Sequence, residues 1–541
     1  MNGTQPTDPS QPTERDGAPL TLDATALDRL AEFEARGFAV PRYDVRAMRA
    51  ATAERPSWVH LGAGNFFRSL HAVVAQRMLD AGHDTGIVLA NLRDPAVIDN
   101  SRATDDLFVN AVLGEDGSVE PQIIASVAES WHLGPEAEDG WARLTAVFEN
   151  PSLQLVTLTV TEKGYLSPEA DVAVGPGRVR GAMPALASLL LARFRAGAAP
   201  LALVSTDNFS ENGERLAAAL REVAQAWIDA GQAPGEFADY LAGDRVAYPS
   251  TMVDRITPAP SAAVGETLAG LGLTNAQIHE RGSGGALAAF SNTEAVSYLV
   301  LEDDFPNGRP PFETGGVVLG DRETVGRADR MKVATCLNPL HTALAVTGCL
   351  LGYTRIAQMM EDSDLRRLVV GVGAIEGLPV VDAPAGMDPA AFLREVITRR
   401  LPNPGLPDSP QRIAADTSQK VGIRFGETIR RHAAEGTAES LTWIPFAIAA
   451  WIRYLLAIDD QGQPFERSPD PLLEQLDERL AGVRFGEPRT ATAARALLSD
   501  ASIFGVDLVE AGVARTVIAH LSTLVHGPGA VRAGLYALAH S

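Results

Sequence analysis

With 541 residues the chain is too long for one ordinary hydrophobic core, and the usual domain size implies roughly two or three domains. Hydrophobic residues at 46% and charged residues at 21% describe a chain that folds, not a disordered one. A formal net charge of -22 argues against non-specific binding to nucleic acid or to anionic membrane, since both need basic surface, and favours a small-molecule partner.

In chain order, residues 1–20 are polar and lack both a basic start and an apolar run, which predicts a disordered tail, no export and a cytoplasmic location. After a first helical stretch, SWVHLGAG reads as a buried strand entering a glycine turn, SLHAVVAQRMLDAG as a helix, and IVLANLR as a second strand. LQLVTLTV and LALVSTD, separated by the helical MPALASLLLARF, continue the alternation of a parallel doubly wound sheet. From Arg322 the pattern changes to long helical segments such as HTALAVTGCLLGY, RRLVVGVGAIEG and TWIPFAIAAWIRYLLAI, with a proline-rich loop from Leu401 to Pro410. The fold class is therefore α/β: a Rossmann-type nucleotide-binding domain over 21–321, with an N-terminal helical extension, then a mainly α-helical substrate domain over 322–541. The apolar stretch Trp443 to Ile458 is interrupted by Pro445 and Arg453, so a buried helix is expected there and no membrane span.

Gly62 and Gly64 stand where the first strand meets the first helix, so backbone N–H groups can approach a pyrophosphate there. Phe67 occupies the place of the third glycine of the fingerprint, and a simple tight turn explains the two glycines about as well. Arg68 adds a cation for the phosphates. Asp94, closing the second strand, is placed to bond a ribose diol and to repel a 2′-phosphate, which favours NAD; Arg93 beside it would accept NADP. His71 reads as an ordinary helix-surface residue.

Two cysteines, Cys336 and Cys349, suit a reducing compartment and lack zinc-ligand spacing. Of the 46 basic residues only Lys163, Lys332 and Lys420 are lysine, the rest being arginine. A buried lysine can give up its proton and an arginine cannot, so these three are candidates for special sites, against chance survival under a coding bias.

The chain reads HLGAGNFFR around Gly62, TVTEKGY around Lys163, STDNFSENG around Asn208, YPSTMVDRITP around Asp254, then VLEDDFPNGRP, MKVATCLNPLH and RIAADTSQK. In number and order these motifs resemble the mannitol dehydrogenase family of long-chain polyol and uronate oxidoreductases, over about residues 55 to 540. The resemblance implies a metal-independent, NAD(P)-dependent enzyme with its active site between two domains. It places the catalytic lysine on Lys332, the oxygen-holding asparagines on Asn208 and Asn338, the accompanying histidine on His341, and substrate-positioning residues on Asp254, Arg412 and Lys420. Gly62, Gly64, Phe66, Arg68 and Asp94 fall to the cofactor. Singly, Asn208 can be a turn cap, Asp254 with Arg255 a structural ion pair, and His341 a core histidine.

The chemistry fits these residue types. Oxidising a secondary alcohol needs a base for the hydroxyl proton, and the reverse needs an acid for the developing alkoxide; a desolvated lysine serves both. Asparagine amides and a neutral histidine can hold the oxygen where charge grows, in place of zinc. Five residues separate Lys332 from Asn338 where the family pattern implies four, so a bulge or an early helix start must absorb one if both face the site. Asp329 can relay the proton of Lys332 to solvent, although an exposed first-turn acid is the commoner explanation.

The two cations Arg412 and Lys420 do not separate a carboxylate from neutral hydroxyls. Chain length and the TCLNPLHTALA wording resemble the uronate-reducing branch of the family, which implies reduction of the 5-keto group of D-fructuronate to D-mannonate. Oxidation of mannitol at C2 and reduction of tagaturonate are the alternatives, and a non-catalytic sugar- or nucleotide-sensing protein on the same fold is the rival class.

Overall fold

The computed structural model describes residues 18–167, 169–281 and 285–541. Six strands form the central sheet: β1 (Trp58–Leu61), β2 (Ile87–Asn91), β3 (Val127–His132), β4 (Leu155–Leu158), β5 (Leu201–Ser205) and β6 (Val246–Ala247). All neighbours pair in parallel, in the order β3-β2-β1-β4-β5-β6. The order reverses direction between β1 and β4, and beyond the carboxyl ends of such strands lies the crevice where doubly wound sheets take their ligands. Buried β-branched and leucine side chains, as in Val59, Ile87, Val88 and Val156, explain why these runs are apolar without alternation.

Two smaller three-stranded sheets flank this one and were not expected. One sets Phe108–Leu113 between Phe290–Glu294 and Val119–Ile124; the other sets Tyr298–Glu302 between Thr251–Asp254 and Val318–Gly320. The second matters for the site, because its strand Thr251–Asp254 ends at Asp254 beside helix α2 (Arg322–Met331). A small apolar cluster of Met252, Val300, Val325 and Ala328 joins the two.

The hydrophobic clusters divide along the chain. One large cluster draws wholly on residues from Met331 to Leu538, while three others draw on residues from Leu20 to Val317. The helix Trp443–Leu455 is buried in the first, as its composition implied, and the Arg453 guanidinium is satisfied there by the carbonyls of Leu524, Ile458 and Asp459. The stretch Arg322–Leu350 has the length and hydropathy of a membrane span, but 83% of its apolar window is buried inside the protein.

Two expectations are corrected. Leu20 does not belong to a disordered tail: it is fully buried, its N–H bonds Gly272 O at 2.9 Å and it bridges Leu273, while residues 1–17 of the expected tail lie outside the described residues. Among polar neighbours, a lone leucine carried no periodic signal. His71 is not on a helix surface. It opens α1 (His71–Asp80), a helix buried on nearly every side, with its Nε2 2.9 Å from Thr206 Oγ1 and its ring 4.4 Å from that of His60.

Burial pushes His71 down to about 3, and burial, with the neighbouring His71, holds His60 well below the usual histidine range. The unfolded chain binds these protons below its own pKa of about 6.5 and the folded chain does not, so stability falls as pH drops from there towards the folded values. We expect the unfolding temperature to decrease from pH 7 to pH 5, and His71→Leu to flatten that slope. A wild-type slope retained in the variant would place the proton uptake elsewhere.

Candidate active site

The cofactor-side cleft opens at the end of β1. Gly62 adopts φ +117°, and a Cβ there would lie 2.6 Å from Thr159 O at the end of β4, so only glycine lets the two strands meet at the crossover. A Cβ on Gly64 would meet nothing within 4 Å of protein; it would fill the cleft itself. Two neighbouring cavities of about 330 and 280 Å³ share Asn91 and Arg93; the first is rimmed by Lys163, the second by Gly64, Arg68 and Asp94. Phe67, in place of a third glycine, is fully buried and stacks on His60 at 4.5 Å. Phe66 is half-buried, with its ring 5.9 Å from that of His71. Backbone N–H groups of the turn, a cationic wall and the open space beside Gly64 together fit a dinucleotide.

The polar residues here are more committed than expected. Asp94 caps the helix Pro95–Ala103 through Ala96 N at 3.0 Å and pairs with Arg281 at 3.3 Å. Arg68 donates to Ala288 O at 2.8 Å and lies over the Phe108 ring. Asp94 still borders the ribose side of the cleft, so NADH should exceed NADPH in kcat/KM by about tenfold or more, the cost of a carboxylate facing a 2′-phosphate. Asp94→Ala should narrow the gap; equal use of NADPH by the wild type would put Arg93 and Arg281 in charge of the pocket.

On the other side of the cleft, Lys332 follows α2 directly. Its side chain is 3% exposed, and Nζ donates to Asn208 Oδ1 at 2.8 Å and to Val253 O at 3.0 Å. Asn208 stands three residues past β5 and Val253 one before Asp254, so the two sheets converge on this ammonium. With its oxygen accepting from Lys332, the Asn208 amide directs its N–H donors elsewhere. No turn cap by Asn208 is seen among the described residues; Asn212 ties that loop instead, bonding Asp207 O and the Thr251 hydroxyl and N–H.

The extra residue between Lys332 and Asn338 is absorbed by a π turn over Lys332–Cys336, closed by Leu337 N to Lys332 O at 3.1 Å. The Thr428 hydroxyl satisfies the Ala334 carbonyl at 3.1 Å. Helix α3 (Asn338–Leu350) then begins on Asn338 itself and carries His341 one turn on, both half-buried. Burial lowers His341 to about 4, with Arg400 and Arg424 also pressing downward against the raising pull of Asp408 and Asp254. His341 is thus neutral near pH 7, one nitrogen a donor and the other an acceptor.

Asp329 is not an exposed first-turn acid. It falls in the last turn of α2 with 17% of its side chain exposed, 3.6 Å from Lys332 Nζ, takes a hydrogen bond from Ser210 Oγ, and borders a cavity of about 410 Å³. Asp254 does not pair with Arg255, which turns to Thr293. Its partner is Arg400, at 2.6 Å, and Arg400 also meets Glu294 at 2.7 Å. Burial alone would lower the Arg400 guanidinium, but the two carboxylates raise it.

Arg412 and Lys420 are less engaged than expected. Arg412 is 66% exposed and turned onto Asp408, while Lys420, half-buried in α4 (Thr417–Ala434), donates to Ala415 O at 2.6 Å. Arg400, Glu294 and Arg424 were missed: in a chain whose cations are nearly all arginine, nothing in sequence separates a buried arginine from a surface one. Among the described residues no group of three or more His, Cys, Asp or Glu side chains is arranged to hold a metal.

Residues 56–314 match the family model described as the mannitol dehydrogenase Rossmann domain, and residues 328–525 match the mannitol dehydrogenase C-terminal domain. The D-mannonate oxidoreductase of Thermotoga maritima is 45% identical over 530 residues, covering 95% of this chain and 98% of that protein. The Escherichia coli D-mannonate oxidoreductase is 30% identical over 84% of this chain and 92% of its own length. Among solved structures, the Pseudomonas fluorescens mannitol 2-dehydrogenase ternary complex with NAD and D-mannitol superposes with a TM-score of 0.67 at 25% identity, covering 96% of this chain and 99% of that one. A substrate-free D-sorbitol dehydrogenase gives 0.72 at 25% identity, covering 89% and 97%.

Proposed function

The chain belongs to the mannitol dehydrogenase family, and from that premise we propose that it is an NAD-dependent D-mannonate oxidoreductase, interconverting D-mannonate and D-fructuronate at C5. Relatives of this chain act on small sugar acids and polyols with nicotinamide cofactors, and the identity of 45% to a D-mannonate oxidoreductase across nearly the whole chain supports the choice of substrate. The observation that carries the enzymatic reading is Lys332, a buried ammonium 2.8 Å from Asn208 where the sheets converge.

We read residues 21–321 as the cofactor unit and 322–541 as the substrate unit, with the site between them. Gly62, Gly64, Arg68 and Asp94 hold the dinucleotide. NAD, when bound, accepts or supplies the hydride. In the reducing direction Lys332 gives a proton to the oxygen on C5, and the free N–H groups of Asn208, with Asn338 and neutral His341, bond that oxygen while its charge grows. Asp329, 3.6 Å behind Lys332, returns the proton from the solvent-facing cavity. Asp254, fixed by Arg400, accepts from substrate hydroxyls.

Because lysine and amides do the polarising, strong chelators should leave turnover unchanged; activity lost to a chelator and restored by zinc would contradict the mechanism. The substrate is tested by following NADH absorbance with D-fructuronate, D-tagaturonate and D-fructose. D-fructuronate should give the highest kcat/KM, and a higher value for either competitor would overturn the assignment.

A further inference from the structure

Of the cations Arg412, Lys420 and Arg424, the first pairs with Asp408 and the second donates to Ala415 O. Arg424 does neither. It lies one turn beyond Lys420 on the same face of α4, and its Nη1 donates to the hydroxyl of Thr342, which itself donates to Asn338 O at 3.1 Å. Through Thr342, Arg424 thus reaches the first turns of α3, which carry Asn338 and His341.

Among the described residues no carboxylate pairs with Arg424, in contrast to Arg400, which has two. Burial brings its guanidinium down to about 10 with no acidic neighbour offsetting the effect. A half-buried guanidinium with no carboxylate partner keeps N–H donors to offer an incoming anion. The planar fork matches a carboxylate with two parallel hydrogen bonds, which neither a hydroxyl nor a lysine reproduces.

The spacing agrees. Thr342 is four residues past Asn338, so it stands about 6 Å further along α3. In D-fructuronate the C1 carboxylate lies four carbon–carbon bonds from C5, and bonds of about 1.5 Å in zigzag span about 5 Å. With the C5 oxygen at Asn208 and Asn338, an extended chain brings its carboxylate towards Arg424.

We propose that Arg424, steadied by Thr342, receives the C1 carboxylate and makes the site selective for sugar acids over neutral polyols, an inference that rests on the keto-uronate reading above.

The test uses full-length wild type, Arg424→Gln and Arg424→Lys with NADH, titrating D-fructuronate and D-fructose. For Arg424→Gln we expect KM for D-fructuronate to rise about 100-fold with kcat within about threefold, the pattern of lost binding common to ground and transition states. Arg424→Lys, which keeps the charge and so guards against misfolding of the glutamine variant, should show a rise of about tenfold. The ratio of kcat/KM for D-fructuronate to that for D-fructose should fall with KM. An unchanged KM, a fall in kcat at constant KM, or equal losses on both substrates would overturn the assignment of Arg424 while leaving the keto-uronate reading standing. A wild type that prefers D-fructose would overturn both.

Discussion

Lys332→Ala is expected to lose at least about 10²-fold and up to about 10⁴-fold in kcat, the range of general acid–base catalysis, while NADH binding, measured by fluorescence, stays within about threefold. The separation follows from placement: Lys332 Nζ contacts Asn208, Val253 and Asp329, none of which borders the cavity of Gly64, Arg68 and Asp94. Lys332→Arg should fare little better, because arginine keeps the charge but holds its proton near neutral pH. Small primary amines should restore part of the turnover of Lys332→Ala by occupying the vacated space between Asn208 and Val253. Near-normal kcat in Lys332→Arg would show that charge alone is needed, and the proton donor would then be His341.

The second large effect is on stability. Arg400 is 1% exposed between Asp254 and Glu294, themselves 8% and 1% exposed in their side chains. Arg400→Met leaves two carboxylates buried against each other, and breaking such a network costs about 3–5 kcal/mol. At about 2–4 °C per kcal/mol, the unfolding temperature should fall by about 10 °C. Neutralising the pair as well, with Asp254→Asn and Glu294→Gln, should recover much of the loss, because the cost lies in the orphaned charges. A change under about 2 °C in Arg400→Met would mean that water reaches the cluster. Since Arg400 closes a π turn over Val396–Arg400 while Asp254 and Glu294 sit on strands of two different small sheets, the network also fixes Asp254 for substrate.

Elements with a local signature are legible in the sequence. β1, its glycine turn and α1 announce themselves by an apolar run, two glycines and helical spacing, and the parallel order of the sheet follows from the alternation. Lys332 stood out because lysine is so scarce here, and the extra residue before Asn338 required a bulge, which the π turn supplies. What stayed hidden depends on contacts distant in the chain. Arg400 and Asp254 are 146 residues apart, and Arg400 looks like any other arginine until the fold encloses it. Arg424 is hidden likewise, with its partner Thr342 82 residues away. His71 was misread because a helix packed on two sides loses the amphipathic contrast that would mark its buried positions. The two small sheets escaped because their strands, such as Val318–Gly320, are too short to show a period.

Where a labelled hydride goes decides whether C5 of a keto-uronate is the carbon that is reduced. With NADH deuterated at the transferable position and D-fructuronate as substrate, NMR of the product should show one deuterium at C5 of D-mannonate for each NADH consumed. Deuterium at another carbon, a product other than D-mannonate, or NADH consumed without label in the sugar acid would rule out hydride transfer to C5.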